Sequence, residues 1–363
     1  MPPFEPLRRG QHVMSVCNAC RYCEQFCPVF PAMEERLVFS KADLDYLANL
    51  CHNCGECLYA CQYAPPHEFG INVPATLAAI RVESYEKYCW PAGLGSLFRR
   101  NSVAAALALA AGFSAIMLAA TWAMNGAALL ERTPRGNFYA VVPHGVMVTL
   151  FGAAGLFVVV ALGIALMRFW HDIQRSGRPA TASDAARGLR DALTLRHLHS
   201  TGIDCTSNEE ERSPWRRYFH HATFYGFVLS FASTSVAAVY HSVFGWPAPY
   251  AYSSLPVLLG TLGGVGLVVG PLGQLALKRR RDPILSSPDH GALDDSFIVL
   301  LLLTSVTGLA LLLLRDSALM AMLLTVHLGI VLALFVTLPY GKFVHGLYRV
   351  AALVKYSAER GEN

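Results

Sequence analysis

Cys17-Asn-Ala-Cys20-Arg-Tyr-Cys23-Glu-Gln-Phe-Cys27-Pro28 and Cys51-His-Asn-Cys54-Gly-Glu-Cys57-Leu-Tyr-Ala-Cys61 carry the same spacing twice, C-x2-C-x2-C-x3-C, the first copy closed by a proline. Three thiolates this tightly spaced wrap one iron–sulfur cubane, and in such runs the fourth cysteine serves the other cluster. The spacing therefore assigns Cys17, Cys20, Cys23 and Cys61 to one [4Fe-4S] cluster. It assigns Cys51, Cys54, Cys57 and Cys27 to a second. Pro28 is expected to stop the chain from continuing as a helix and to turn it toward the second site. Structural zinc is the alternative, but zinc sites use C-x2-C pairs separated by a longer loop, and close triplets crowd a tetrahedral ion.

Eight of the ten cysteines fall in residues 17–61, behind a polar, proline-containing stretch from Met1 to Gln11 with no apolar export signal. That pattern predicts metal ligation in a reducing compartment, with the head in the cytoplasm. Ser40-Lys-Ala-Asp43 reads as a capping box opening a helix to about Leu50. Pro74 is expected to start a helix over Ala75–Tyr88 that packs through Leu77, Ile80, Val82 and Tyr85. Cys89 lies outside both quartets and is expected to be a buried or interfacial thiol. The long spacer between quartets resembles the helical di-cluster domains of succinate dehydrogenase and heterodisulfide reductase subunits. The fold class is mostly α: a ferredoxin-like di-cluster domain over 1–95, then a six-helix transmembrane bundle over 96–363.

Composition agrees with that division. The chain is 54% hydrophobic and 15% charged, against about 25% charge in an ordinary soluble domain. A net charge of +4 is too small to argue for nucleic acid. Six candidate spans lie at about 102–124, 141–167, 222–244, 255–277, 294–314 and 319–340. Basic residues alternate along them: Arg99 and Arg100, then a 168–221 loop rich in arginine, then Lys278 to Arg281, then Lys342, Arg349 and Lys355. The positive-inside rule places both termini and the cysteine head on the cytoplasmic side. The middle of the 168–221 loop, Asp184 to Leu198, is expected to form a short amphipathic helix at the membrane surface. His197, His199 and Cys205 beside it are weighed as a metal site against the commoner reading of surface side chains.

Histidines at the span ends carry the second half of the chemistry, because ionisable groups within spans are costly. His327 and His345 are 18 residues apart, five turns and about 27 Å if one helix carries both. His220 and His241 lie close to six turns apart, with His221 about 100° away. Stacked histidines on two facing helices point to bis-histidine b-type haem. The inner haem would use His220 or His221 with His345, and the outer would use His241 with His327. His144 is a rival outer ligand or part of a quinone pocket. The alternative is interfacial histidines bonded to carbonyls or headgroups.

The doubled quartet followed by six spans resembles the tricarballylate utilisation protein B family, also called citrate utilisation protein B, over essentially the whole chain. His327 and the Leu-Pro-Tyr-Gly-Lys-Phe-Val-His345 segment also resemble the haem-bearing helix of the respiratory nitrate reductase gamma subunit. There two histidines on one helix serve two haems, which implies that role for His327 and His345. Ser230 and Phe231 stand where that pattern has a closer histidine on the partner helix.

The resemblance implies that the chain reoxidises a soluble FAD-dependent dehydrogenase, tricarballylate dehydrogenase, and passes electrons into the quinone pool. No dinucleotide fingerprint or nucleophile–base signature accompanies these motifs, so substrate chemistry is expected on another polypeptide, leaving this chain a redox subunit or quinone reductase. Gly263-Gly264-Val265-Gly266 reads as close helix packing. A heterodisulfide-reductase-like subunit and a membrane-anchored redox sensor are the alternatives. The first lacks spare cysteines beyond Cys89 and Cys205, and the second lacks an output module.

Overall fold

The computed structural model describes residues 6–100, 102–130, 137–175, 177–199, 206–208, 211–285 and 288–361. α1 (Pro6–Cys20) and α2 (Val29–Glu34) lead into α3 (Lys41–Leu50), α4 (Glu56–Tyr59) and α5 (Val73–Tyr88). The capping box opens α3 as expected: Ser40 Oγ accepts from the Asp43 amide, and the Asp43 carboxylate accepts from Ser40 N. α5 starts two residues earlier than expected, because Asn72 caps it, its Oδ1 accepting from Ala75 N at 3.0 Å. Leu77, Ile80, Val82 and Tyr85 are all buried. Pro28 departs from its expected role. It adopts helical angles (φ −61°, ψ −16°) as the residue that opens α2, where its missing N–H costs no hydrogen bond.

α6 (Ala92–Arg100) precedes the bundle, which begins with α7 (Ser102–Leu130), the single turn α8 (Phe138–Val141) and α9 (His144–Ile173). α10 (Ala182–Leu193) lies in the next connection, followed by α11 (Trp215–Ser242), α12 (Leu255–Arg280), α13 (Pro288–Leu313), α14 (Met320–Thr337) and α15 (Val344–Arg360). A short ribbon pairs Thr206–Asn208 with Glu211–Arg212. Six of these helices, α7, α9, α11, α12, α13 and α14, are long and apolar enough to cross a bilayer. Their outer side chains are bare: Leu156 is 67% and Val159 69% exposed. In water that face would be an uncovered hydrophobic patch, whereas lipid tails are the solvent it suits.

α14 is the axis of the bundle, packed among α7, α9 and α13. α11 and α12 touch backbone to backbone. A Cβ on Gly263 would stand 2.7 Å from Ser230 N and 2.9 Å from the Gly226 carbonyl, and one on Gly270 2.6 Å from Thr223 N. The glycine cluster of α12 therefore is a helix-packing seam. Phe219, Thr223, Gly226 and Ser230 form the stripe of α11 that faces it. His220, one residue round from Phe219, is turned about 100° off that stripe.

The sixth span does not run on to His345. Leu338-Pro339-Tyr340-Gly341 interrupts it, so α14 ends at Thr337 and the chain restarts as α15; a proline has no N–H to give the preceding turn. His327 and His345 therefore sit on two helices. α15 closes the core of the head: Tyr348 is fully buried, stacks on Phe169 at 4.5 Å and lies near Tyr85 and Tyr88. Glu359 accepts from Arg36 at 2.6 Å and from the Tyr46 hydroxyl at 2.9 Å. Head and bundle thus share one continuous core.

The expected surface helix at 184–198 is shorter, Ala182–Leu193, and it docks on α15. A Cβ on Gly188 would stand 2.6 Å from Val354 N. Thr181 caps it, and buried Asp184 accepts from Arg178 at 2.8 and 3.2 Å and from Thr181 N at 2.8 Å. The Arg178 bonds, then that of the Thr181 amide, hold the Asp184 carboxyl well below the usual carboxylate range. A depressed carboxyl stabilises the fold above its unfolded value near 3.9 and loses that contribution as pH falls through the folded one. Asp184→Asn is expected to cost α10 about 1 kcal/mol at neutral pH, read as faster proteolysis between α9 and α11. Wild type should match the variant only at pH well under 4.

Candidate functional site

Each quartet is placed by a helix end. Cys17 and Cys20 ride the last turn of α1, which stops at Arg21 in the left-handed region (φ 56°). Cys51 closes α3, and Asn53 (φ 57°) and Gly55 (φ 94°) curl the chain before α4 carries Cys57. Asn53 N donates to Cys51 Sγ at 3.3 Å.

Two cavities result. The first, of about 270 Å³, is lined by Cys17, Cys20, Cys23 and Cys61, and by Cys57, which lines both cavities. The second is smaller and lined by Cys27, Cys51, Cys54 and Cys57. One cysteine has thus crossed from each run to the other's cavity. Burial, then the charges of Cys23, Cys61 and Cys20, push the Cys17 thiol up to about 12. Burial, then Cys54 and Cys51, push Cys27 well above its ordinary value. Four thiolates in one such cavity repel one another, and a bound cationic iron cluster is what would let them ionise together. Among the described residues no three His, Cys, Asp or Glu side chains form a group that could hold a single metal ion. The quartets surround cavities, as ligands of a cubane do.

The histidines fall into two groups. At the end of the bundle nearest the head, His220 on α11 and His345 in the first turn of α15 are electrostatic neighbours. Each has a buried Nδ1 with no hydrogen-bond partner. Burial first, then Lys342, Arg81, Arg349 and His220, hold His345 well below the usual imidazole range, so it is neutral at pH 7. His221 meets Tyr225 at 5.7 Å between ring centroids. At the far end, the His144 and His241 rings lie 4.2 Å apart, with Tyr139 4.9 Å from His241. His327 shares a hydrogen bond through Nδ1 with Thr307 Oγ1 at 2.9 Å, which leaves Nε2 for another partner.

His197 bonds Asp191 at 3.1 Å and stacks on His52; Cys205 and the His199 side chain lie outside the described residues. Cys89 is buried and donates to the Glu86 carbonyl at 3.1 Å. Arg216, Arg281 and Arg349 are read from sequence only as topological charge, yet all three reach into the second quartet's loop. The one sequence signal was Arg349 four residues after His345, hence on its face of the helix.

Residues 98–363 match the model of the citrate utilization protein B family, and residues 10–87 match its Fer4-like domain. The chain belongs to the citrate utilization protein B family. A protein of that name from Escherichia coli is 49% identical over 359 residues, covering 98% of this chain and 93% of the relative. No solved structure matches. The Fer4-like match of this citrate utilization protein B family member falls on both cysteine runs. That places iron–sulfur electron transfer in the head and six apolar helices behind it.

Proposed function

We propose that this chain carries electrons from a soluble FAD-dependent dehydrogenase, one acting on tricarballylate, to membrane quinone. Cys17, Cys20, Cys23 and Cys61 would hold one [4Fe-4S] cluster, and Cys27, Cys51, Cys54 and Cys57 the other. His220 and His345 would hold a b-type haem at the inner, head-facing end of the bundle. Bound there, these groups supply one-electron carriers, which a two-electron flavin donor requires to feed a membrane acceptor. The protein orients them: α1 and α3 end where thiols are needed, and α15 presents His345 while its other residues lock the head to the spans. The membrane is the bacterial inner membrane, with both termini on the cytoplasmic side.

The observation that carries this reading is the pair of cysteine-lined cavities, the second seated over the His220 and His345 end of the bundle. The two orphaned Nδ1 atoms are buried imidazole nitrogens in want of a partner, which an iron-bound group would supply. The far group of His144, His241 and Tyr139 supports a quinone site or a second haem there, with His327 as the other imidazole. The buried Cys89 thiol offers nothing to a disulfide substrate, which weighs against the heterodisulfide alternative.

His345→Ala tests the inner haem. It is expected to abolish quinone reduction and remove a b-type band from the visible spectrum, while dithionite still bleaches the iron–sulfur absorbance. Unchanged quinone reduction in that variant would sink the assignment.

A further inference from the structure

Six consecutive backbone carbonyls, those of residues 48 to 53, are taken by guanidinium groups. Arg81 on α5 donates to Ala48 at 2.7 Å and to Cys51. Arg349 on α15 donates to Asn49 at 3.4 Å, to Leu50 and to the His52 ring. Arg216 on α11 donates to His52 at 2.9 Å and Asn53 at 2.7 Å, and Arg281 at the end of α12 also reaches Asn53. Four cations from four elements thus close on the loop that carries Cys51 and Cys54. Arg81 and Arg349 are also electrostatic neighbours of His345.

The first cavity is built otherwise. The lining of the second cavity holds no cation, but Arg349 is an electrostatic neighbour of Cys51, Cys27 and Cys54. The lining of the first holds none either, and the charged neighbours of its Cys17 and Cys23 are other thiols and Glu56. Tyr22, which lines the first cavity, is 67% exposed, so that cavity also meets solvent. Glu56 lines the second cavity, one carboxylate set against four guanidiniums.

We infer that the arginine clasp makes the cluster site of Cys27, Cys51, Cys54 and Cys57 the higher-potential, membrane-side member of the pair. Reducing a cluster adds one negative charge, and nearby fixed cations in a low-dielectric site favour the reduced form. A site without such cations lacks that stabilisation and is harder to reduce. One electron therefore moves from the site of Cys17, Cys20, Cys23 and Cys61, which is oxidised, to the clasped site, which is reduced. No bond breaks and no proton is required. Arg349 is a positioning residue here, acting on the cluster through the loop carbonyls. The inference rests on the two-cluster reading.

An EPR redox titration of the purified full chain tests it, with iron counted on the same sample. Cys20→Ser and Cys54→Ser, each altering one spectrum, assign the two signals. The signal altered by Cys54→Ser should titrate at the higher potential. Arg349→Gln should shift that signal alone to a lower potential, and Arg349→Lys should restore most of the shift. Arg281→Gln, at the edge of the clasp, should give a smaller shift of the same sign, which keeps the test open should Arg349→Gln lose its clusters. Reversed order of the two signals, or potentials unmoved in both the Arg349→Gln and Arg281→Gln proteins, overturns the inference. A wild-type iron content well below about eight per chain instead overturns the two-cluster reading beneath it.

Discussion

Replacing Cys27 by alanine is expected to destroy the cluster of the second cysteine run while sparing that of the first. Cys27 belongs to the first run by sequence, but it lines the second cavity with Cys51, Cys54 and Cys57. The converse variant, Cys61→Ala, should empty the first cavity, where Cys61 joins Cys17, Cys20 and Cys23. Each variant should lose about half the iron, and EPR should show the loss in opposite signals. Should Cys27→Ala extinguish the same signal as Cys20→Ala, the crossed ligation is wrong.

Gly263→Leu is expected to be among the most damaging single changes in the bundle. The obstacle at that position is backbone: Ser230 N and the Gly226 carbonyl would lie within 3 Å of any Cβ. Neither atom can swing away as a side-chain tip can, so α11 and α12 must part. Overpacking of this kind costs about 3 kcal/mol or more. Because α11 also carries His220, the variant should lose thermal stability in detergent and haem absorbance together. Gly112→Leu, at a glycine with open space around it, is the control and should leave the melting temperature unchanged.

Much of this was legible from the chain itself. Metal-binding cysteines advertise themselves by spacing, and spans by length and hydropathy, because both signals are local. The capping box at Ser40 was legible for the same reason. Two features were not. Whether one helix carries both His327 and His345 stays conditional in the sequence, because an apolar run and a five-turn spacing favour it while Pro339 and Gly341 are a helix-stop signal. The chain does break there. The clasp on residues 48 to 53 was invisible for a different reason. Arg81, Arg216, Arg281 and Arg349 are far apart in sequence and meet only once α15 folds back into the head. Basic residues near span ends have a sufficient topological explanation, so beyond the spacing of Arg349 from His345 nothing local marks Arg216, Arg281 and Arg349 as different.

The most direct test of the two-cluster electron path is a reduced-minus-oxidised visible spectrum of the detergent-solubilised chain, with iron and acid-labile sulfide counted on the same sample. The path predicts about eight non-haem irons per chain, matching sulfide, and sharp b-type haem bands over a broad iron–sulfur bleach. Iron without labile sulfide, or zinc in its place, would contradict it.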